Sequence, residues 1–255
     1  MSTLDDFIIR RSTLEDVPAI SKLLEEVALP GDPEFRLMVG SGIVPQQEMI
    51  DFVVATHTHS SVILHPCSLV ATIRSFDNGC HGGCNKVVAF RMSCAAHHPG
   101  HVDEDSTIQS MIEKSSGLQR RARMFKDIES GGMDVVMDTT PSSSGSQEGS
   151  IDFLQLTVDP NYRRQGLAKK LVQEAIVIAK SLPESRCINV CAASRYTSRI
   201  FQDQGFQKVS QISYRTYQQD DDDGKPFFNA DLVDEHESME LYRLNIEKEN
   251  TLKPR

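Results

Sequence analysis

Apolar residues in the first half of the chain alternate between strand-like runs and helical spacing. Residues 7–11 form a short apolar run that predicts a strand. Ser12 and Glu15 form a Ser-x-x-Glu capping box, and apolar residues recur at helical spacing from 14 to 27, which together predict a helix. The Pro- and Gly-rich stretch 29–42 predicts a loop or a broken helix. Further predicted elements are a helix at 46–55, strands at 68–76 and 86–93 joined by an Asp77-Asn78-Gly79 turn, and a helix at 107–128.

The C-terminal half has a more regular pattern. Residues 152–158 alternate in a way that predicts a strand buried on both faces or nearly so, and Asp159-Pro160-Asn161 ends it. An amphipathic helix is predicted at 166–182, with this inward apolar stripe: Leu167, Leu171, Val172, Ala175, Ile176, Ile178, Ala179 and Leu182. The remaining predicted elements are a strand at 187–193, a short helix at 196–204 closed by Gly205, and strands at 207–217 and 239–246.

Short antiparallel pairs followed by strand–helix–strand units predict a mixed α/β fold. We expect a single domain over residues 1–246, because neither half alone contains a complete sheet. The segment 142–150 (SSSGSQEGS) is small and polar and predicts a mobile loop within that domain. Residues 247–255 are expected to form a flexible tail.

Composition and charge narrow the possible partners. No apolar run approaches the roughly 18 residues that a membrane-spanning helix needs, and residues 1–11 lack a secretory signal, so a cytoplasmic location is expected. The net charge of −9 and the acidic block 220–223 argue against nucleic acid or an anionic membrane surface as a partner. A negative field favours the approach of cations, including protonated amines. We expect a monomer or a weak dimer.

The six cysteines are too sparse for a disulfide scaffold and fit a reducing compartment. Cys80 and Cys84 share a C-x3-C spacing in a Cys-His-Gly-Gly-Cys segment, and nearby histidines, His97, His98 and His101, raise the alternative of a zinc site. Structural zinc sites usually show tighter paired spacings, so we favour a glycine-rich hairpin turn and expect no metal. Cys187 and Cys191 lie in an alternating apolar run and are predicted to be small core residues.

The segment 156–168 carries the clearest chemical signal. A buried strand ends, a short turn carries Arg163, Arg164 and Gly166, and a long amphipathic helix begins. Such a turn directs free backbone N–H groups and the positive end of the helix at one point, which creates an anion site. Gly166 leaves room for the close approach of a phosphate, and the arginines add positive charge at the rim.

Residues 163–168, Arg-Arg-Gln-Gly-Leu-Ala, resemble the Arg/Gln-x-x-Gly-x-Gly/Ala pyrophosphate loop of the GNAT superfamily of N-acetyltransferases. The resemblance implies an acyltransferase that uses acetyl-CoA as the acyl donor. It also implies a twisted mixed sheet of about six or seven strands flanked by helices, with a splayed V between two central strands. The coenzyme-binding residues that it implies are Leu156, Thr157, Val158, Arg163, Arg164, Gln165, Gly166, Leu167, Ala168 and Lys169.

The resemblance extends beyond the loop. Residues 196–206, a predicted helix that ends in Gly-Phe, look like the second coenzyme segment of the superfamily. Residues 212–217 and 223–228, with His236 and the last strand, are similar to the invertebrate arylalkylamine N-acetyltransferases. Those enzymes act on dopamine-, serotonin- and octopamine-like amines. The similarity spans most of the chain but is strong only from 153 to 228.

Acyl transfer to an amine requires a neutral amine, a polarised thioester carbonyl and a proton for the departing thiolate. By resemblance, the Val158 N–H is expected to bind the acetyl carbonyl, and Tyr196 to protonate the sulfur. Thr197 matches a position where the amine acetyltransferases often carry a serine near the acceptor, whereas the other expected serine is Ala193. The family places a Glu-Pro pair after the first helix, and here Asp32-Pro33 matches it, followed by Glu34. Either carboxylate is a candidate base.

The sequence therefore predicts an acetyl-CoA-dependent N-acetyltransferase that acts on a small arylalkylamine by direct transfer in a ternary complex. One alternative keeps the coenzyme and changes the acceptor to a polyamine, an amino acid or a protein amine. A second alternative is a non-catalytic module that binds acetyl-CoA, because the loop around Asp32 departs from the family pattern.

Overall fold

The computed structural model describes residues 4–74, 85–95, 107–131, 149–219 and 225–246. Its strands form one sheet: β1 (Phe7–Arg11), β2 (Leu69–Arg74), β3 (Asn85–Ala95), β4 (Ser150–Val158), β5 (Cys187–Ala192), β6 (Gln207–Ser213) and β7 (Ser238–Asn245). The seven strands lie in the order β1-β2-β3-β4-β5-β7-β6. All neighbours are antiparallel except β4 and β5, which are parallel. The predicted mixed α/β class and strand number are confirmed.

Helices cover both faces of the sheet. Their bounds are α1 (Val17–Leu23), α2 (Leu29–Gly31), α3 (Pro33–Gly40), α4 (Gln46–Thr58), α5 (Ser60–Ile63), α6 (Thr107–Lys114), α7 (Ser116–Glu129), α8 (Leu167–Ser181) and α9 (Arg195–Asp203). One apolar cluster packs the helices from α1 to α7 against one side of the sheet, and a second cluster packs α8 and α9 against the other. We call these sides the α7 face and the α8 face.

Two helix starts differ from the sequence prediction. The capping box lies one residue later than expected, because Thr13 is the N-cap and both its N–H and its hydroxyl bond Asp16. Ser12 is instead buried, and its hydroxyl bonds the Ile63 carbonyl. The helix expected at 107–128 is two helices, since Ser115 caps the second one by accepting from the Leu118 N–H.

The stretch 29–42, which was predicted to be a loop or a broken helix, is a broken helix. A π-helical turn, Leu24–Ala28, leads into α2, and α3 begins after Asp32. The Asp32 side chain accepts a hydrogen bond from the Phe35 N–H and so caps α3. This break places Asp32 at a helix N-terminus rather than inside a helix.

A bulge in β4 changes the strand that was predicted to alternate without interruption. Met92 faces Gln155 while Ser93 faces Phe153, so Leu154 is one extra residue in β4. Phe153 packs on the α8 face and Leu154 on the α7 face, and then Leu156 and Val158 return to the α8 face. The side-chain order therefore shifts by one residue at Leu154.

The bulge coincides with the separation of the two central strands. β4 pairs with β5 only from Ser150 to Phe153, so the C-terminal half of β4 has no neighbour on that side among the described residues. The splayed V that the resemblance implied is present. The predicted turn at 77–79, most of the loop at 142–150, the acidic block at 220–223 and the tail at 247–255 lie outside the described residues.

Candidate active site

The gap between β4 and β5 opens into a cleft of about 2440 Å³ that reaches both faces of the sheet. From the α8 side it is lined by these predicted coenzyme residues: Leu156, Val158, Arg163, Arg164, Gln165 and Ala168. Thr157 also lines the cleft, but its side chain lies on the α7 face beside Gln155. From the α7 side it is lined by residues of α3, α4, α6 and α7, among them Phe35, Phe52, His57, Ile108, Arg121 and Phe125. All four predicted catalytic residues, Asp32, Glu34, Tyr196 and Thr197, also line this cleft.

The turn before α8 has the backbone of an anion-binding loop. Gly166 is the N-cap of α8 and has a φ of 83°, and Arg164 has a φ of 61°, so both lie in the left-handed region. Left-handed residues at a helix N-terminus turn successive N–H groups towards one point. Arg163 donates from Nε to the Val158 carbonyl at 3.1 Å, which ties the loop to the end of β4. The Leu167 side chain is buried in the core and Lys169 points to solvent, so these two offer the loop only their main chain.

The main chain of β4 presents hydrogen-bonding groups to the gap. Asp159 donates its N–H to the Val88 carbonyl on β3 at 2.8 Å. Because alternate residues of an antiparallel strand direct their N–H and C=O groups to opposite sides, those of Leu156 and Val158 point away from β3. They point towards β5, which has already diverged. The Val158 N–H is therefore directed into the cleft, as the sequence prediction required.

The two candidate bases differ in their surroundings. Glu34 is only 7% exposed and accepts two hydrogen bonds from Arg121, from Nε at 2.5 Å and from Nη2 at 3.2 Å. Asp32 is half-buried and forms no ion pair among the described residues, and it accepts a hydrogen bond from the Phe35 N–H at 3.1 Å. Burial, followed by the charge of Glu34, raises the pKa of Asp32 to about 6. Asp32 is therefore the stronger candidate for the proton acceptor, because its pKa lies close to neutral pH and no cation is bound to it among the described residues.

The helix that was predicted to supply the acid begins at Ser194. The hydroxyls of Ser194 and Thr197 lie 2.8 Å apart, and Ser194 also caps α9 by accepting from the Thr197 N–H. Tyr196 is 57% exposed and donates its hydroxyl to Glu235 at 3.0 Å. Tyr196 also lines the cleft, so its hydroxyl is engaged by Glu235 at the rim of the candidate site. Its role as the acid remains a prediction.

Several cleft residues were missed by the sequence reasoning. Arg121 lies 87 positions from Glu34, and no local pattern connects them. Its guanidinium also stacks on the rings of Phe52 and Phe125, at 5.4 and 4.5 Å from their centres. His57 and Ser194 line the same cleft without belonging to any motif. A helical histidine and a helix-cap serine carry no signal that distinguishes them from structural residues.

No metal centre is found in the part of the chain that the structure describes, where no group of three or more His, Cys, Asp or Glu residues could hold an ion. The alternative zinc site at Cys80 and Cys84, with His97, His98 and His101, lies outside the described residues. Cys187 and Cys191 are half-buried free thiols. Across the same described ranges, no helix is both long and apolar enough to span a bilayer.

The comparisons with known proteins agree with this architecture. Residues 121–217 match the family model of the acetyltransferase (GNAT) domain, which includes β4, the loop, α8, β5 and α9. The matched segment is less than half of the chain, and it contains the strands that diverge and the candidate coenzyme loop. Comparison with curated protein sequences gave no significant match.

Solved structures with the same fold include insect amine acetyltransferases. The polyamine N-acetyltransferase of Drosophila melanogaster, which forms N-acetylagmatine, has a TM-score of 0.65 at 17% identity, over 94% of this chain and 100% of that one. Arylalkylamine N-acetyltransferase 2 from Aedes aegypti has a TM-score of 0.66 at 14% identity, over 95% and 100%. A mosquito arylalkylamine N-acetyltransferase-like protein, 5b, scores 0.63 at 16% identity, over 94% and 99%. At these identities the similarity establishes the fold and leaves the acceptor open.

Proposed function

We propose that this protein transfers an acetyl group from acetyl-CoA to the primary amine of a small arylalkylamine, in a ternary complex and without a covalent enzyme intermediate. The observation that carries the proposal is the gap between β4 and β5, which joins a phosphate-binding loop on one face to a carboxylate-containing pocket on the other. Two substrates that enter from opposite faces would meet at the main chain of Leu156 and Val158.

The loop residues fit the coenzyme by their local structure. The left-handed Gly166 and the N-terminus of α8 suit a pyrophosphate, and Arg163 and Arg164 supply charge at the rim. The Gln165 Oε1 atom is buried and has no hydrogen-bond partner among the described residues; as an acceptor it would need an N–H or O–H group of the coenzyme rather than a phosphate oxygen. The bound thioester would supply the activated acetyl group.

The residues of the chain would then act on the amine and the carbonyl. A free primary ammonium has a pKa near 10.4, so a base must remove its proton at neutral pH. Asp32, with a pKa of about 6, is ionised there and suits this role directly or through a water. The Val158 N–H would donate to the carbonyl oxygen as negative charge develops on it. One such donor commonly contributes about 2.7–4 kcal/mol in the transition state.

Aromatic and apolar side chains favour an aryl acceptor. Phe35, Phe52 and Phe125 line the α7 side of the cleft together with Ile108 and Ile112. Aromatic rings bury large areas in such surroundings and gain further from edge or offset contacts. These three phenylalanines are the candidates for contact with an aryl group.

A polyamine is the second candidate acceptor. Glu129 and Asp152 line the same cleft, and neither forms an ion pair within the described residues. Burial raises the pKa of both carboxyls, and the charge of Asp152 adds to the shift at Glu129. A second ammonium group of the acceptor would relieve this repulsion.

A turnover panel tests the proposal. Purified protein and acetyl-CoA are offered tyramine, dopamine, serotonin, spermidine and a lysine peptide while the released thiol is measured. Turnover confined to aromatic amines supports the proposed acceptor class, and a preference for spermidine supports the second candidate. Turnover of the peptide alone contradicts both. Tight coenzyme binding without any turnover would identify a non-catalytic module.

A further inference from the structure

His57 presents one defined hydrogen-bonding atom to the cleft. It lies in the last turn of α4, and its Nδ1 is 2.7 Å from the Val53 carbonyl oxygen. A carbonyl oxygen only accepts, so Nδ1 carries the hydrogen and donates it. In a neutral ring, Nε2 is then an acceptor with a free lone pair. Within the described residues, no side chain or main-chain group bonds Nε2.

The ring is held in its neutral form by its surroundings. Burial, opposed by the hydrogen bond to Val53 and aided by the positive charge of Arg121, lowers the pKa of His57 to about 4. At neutral pH the ring is uncharged, and its tautomer is fixed by the bond to Val53. Nε2 therefore offers a permanent acceptor rather than a switchable charge.

His57 offers a neutral nitrogen acceptor on this side of the cleft, whereas the other acceptors there are carboxyl groups, such as those of Glu129 and Asp152, and hydroxyl or amide oxygens. The Arg121 guanidinium only donates, and it is engaged by Glu34 and by two aromatic rings. The Thr56 hydroxyl donates to the Phe52 carbonyl at 2.8 Å. Phe52, Ile108 and Ile112 provide apolar lining in the same cleft. His57 thus adds a neutral nitrogen acceptor to a pocket suited to a ring.

We propose that His57 is a specificity-determining residue, whose Nε2 accepts a hydrogen bond from a hydroxyl group on the aromatic ring of the acceptor amine. The inference rests on the proposed function and assigns one residue to the recognition of the acceptor's ring hydroxyl. Asp32 would take the ammonium end and His57 the hydroxyl end of one substrate. An amine without the hydroxyl would leave a buried acceptor unpaired, and a site of this kind discriminates strongly against such analogues.

The first test uses the unmodified enzyme and needs no variant to fold. kcat/KM is measured for tyramine, for phenethylamine, which lacks the hydroxyl, and for 4-methoxyphenethylamine, whose oxygen accepts but cannot donate. We expect tyramine to exceed phenethylamine by about 10- to 100-fold. The methoxy compound should be no better than phenethylamine, because Nε2 requires a donor. Equal values for tyramine and either analogue would overturn the inference.

The second test assigns the preference to His57. His57→Leu removes the acceptor and should bring the tyramine-to-phenethylamine ratio to within about threefold of unity. His57→Gln retains an acceptor oxygen and should keep part of the preference. Thr58→Val is the matched control, because the Thr58 hydroxyl also bonds a carbonyl one turn back, that of Val54, but does not line the cleft. Its ratio should equal that of the unmodified protein.

The outcomes separate this inference from the proposed function. A strong tyramine preference that survives in His57→Leu would overturn the role of His57 and leave the acetyltransferase intact. Turnover of all three amines without discrimination would do the same. If no aromatic amine is acetylated although coenzyme binds, the proposed function fails and the inference fails with it. Loss of the preference in His57→Leu with the control unchanged would support it.

Discussion

Replacing Gly166 by alanine isolates the contribution of the loop backbone. Gly166 has a φ of 83°, a region in which a residue with a side chain is strained by about 1–2 kcal/mol. An added Cβ would lie 3.2 Å from Leu4 Cδ1, which is the far end of a flexible side chain in an exposed turn and can move aside. Backbone strain is then the main cost, and the melting temperature should fall by about 2–8 °C.

The same methyl group should weaken coenzyme binding beyond this loss of stability. It would project at the turn where we place the pyrophosphate against main-chain N–H groups, so the phosphate would be held farther away. We expect the Kd for coenzyme A to rise at least about tenfold, which corresponds to ~1.4 kcal/mol. Gly166→Glu adds bulk and a negative charge at the same point and should abolish binding.

Gly205 provides the matched control. Its φ is 86°, so an alanine there meets the same backbone strain, and its added Cβ would lie 4.0 Å from the nearest atom, Leu244 Cδ1. It follows α9 and does not line the cleft. Gly205→Ala should therefore lower the melting temperature by a similar amount and leave the Kd unchanged.

Thermal melts and calorimetric titration with coenzyme A measure the two quantities separately. The reasoning is refuted if Gly166→Ala and Gly205→Ala lose similar stability and both bind coenzyme A with the Kd of the unmodified protein. In that case the left-handed turn would be a structural feature of the strand–helix connection, and the coenzyme would bind elsewhere.

Three further predictions follow from the charged residues. Asp32→Asn should lower kcat/KM by about 10²–10⁴-fold at neutral pH, measured by thiol release, whereas an unchanged rate would remove Asp32 as the base. Because the base must be ionised, kcat/KM should fall as the pH drops through about 6. The negative charge of Glu34 raises the pKa of Asp32, so Glu34→Gln should shift this inflection to lower pH. The positive charge of Arg121 lowers that pKa, so Arg121→Gln should shift the inflection to higher pH. An inflection unmoved in both variants contradicts this electrostatic account. Arg91 is 1% exposed, its Nε and Nη2 atoms have no hydrogen-bond partner among the described residues, and burial lowers its pKa. Arg91→Met should therefore leave the melting temperature unchanged or raise it; a clear decrease would show a stabilising role.

Strong periodicity and turn chemistry made much of the fold predictable. The strand at Phe7–Arg11 was predicted at its observed bounds, and α8 within one residue at each end. The end of α9 was also predictable, since Gly205 adopts the left-handed conformation that its position after a helix indicated. In each case local sequence and tertiary packing favour the same structure.

The errors have specific physical causes. Ser12/Glu15 and Thr13/Asp16 both fit the capping pattern, and the burial of Ser12 against the Ile63 carbonyl decides between them. The bulge was hidden because Leu154 and Leu156 are both apolar, so the alternation continues in the letters while the structure shifts. These features depend on partners distant in the chain.

The two sides of the candidate site also differ in how far the sequence predicts them. The coenzyme loop is contiguous, so its glycine, its arginines and its helix start form one readable segment. The acceptor side is assembled from α3, α4, α6 and α7, and its Glu34–Arg121 pair joins residues 87 positions apart. Only the fold brings such residues together, and their chemistry becomes visible once the sheet is built.

Leu154 is one additional residue in β4, and it interrupts the alternation of side chains between the two faces of the sheet. The side chains from Gln155 to Val158 therefore lie on the opposite face from the one that uninterrupted alternation would give. Leu156 and Val158, for example, face α8 rather than the α7 helices. In a strand lacking Leu154, Gln155 would follow Phe153 directly, and the residues from Gln155 to Val158 would keep their present partners on β3 and their present faces. Since the bulge coincides with the point at which β4 and β5 separate, such a deletion is expected to favour further pairing between these two strands, and so to stabilise the sheet at the expense of access to the transfer point.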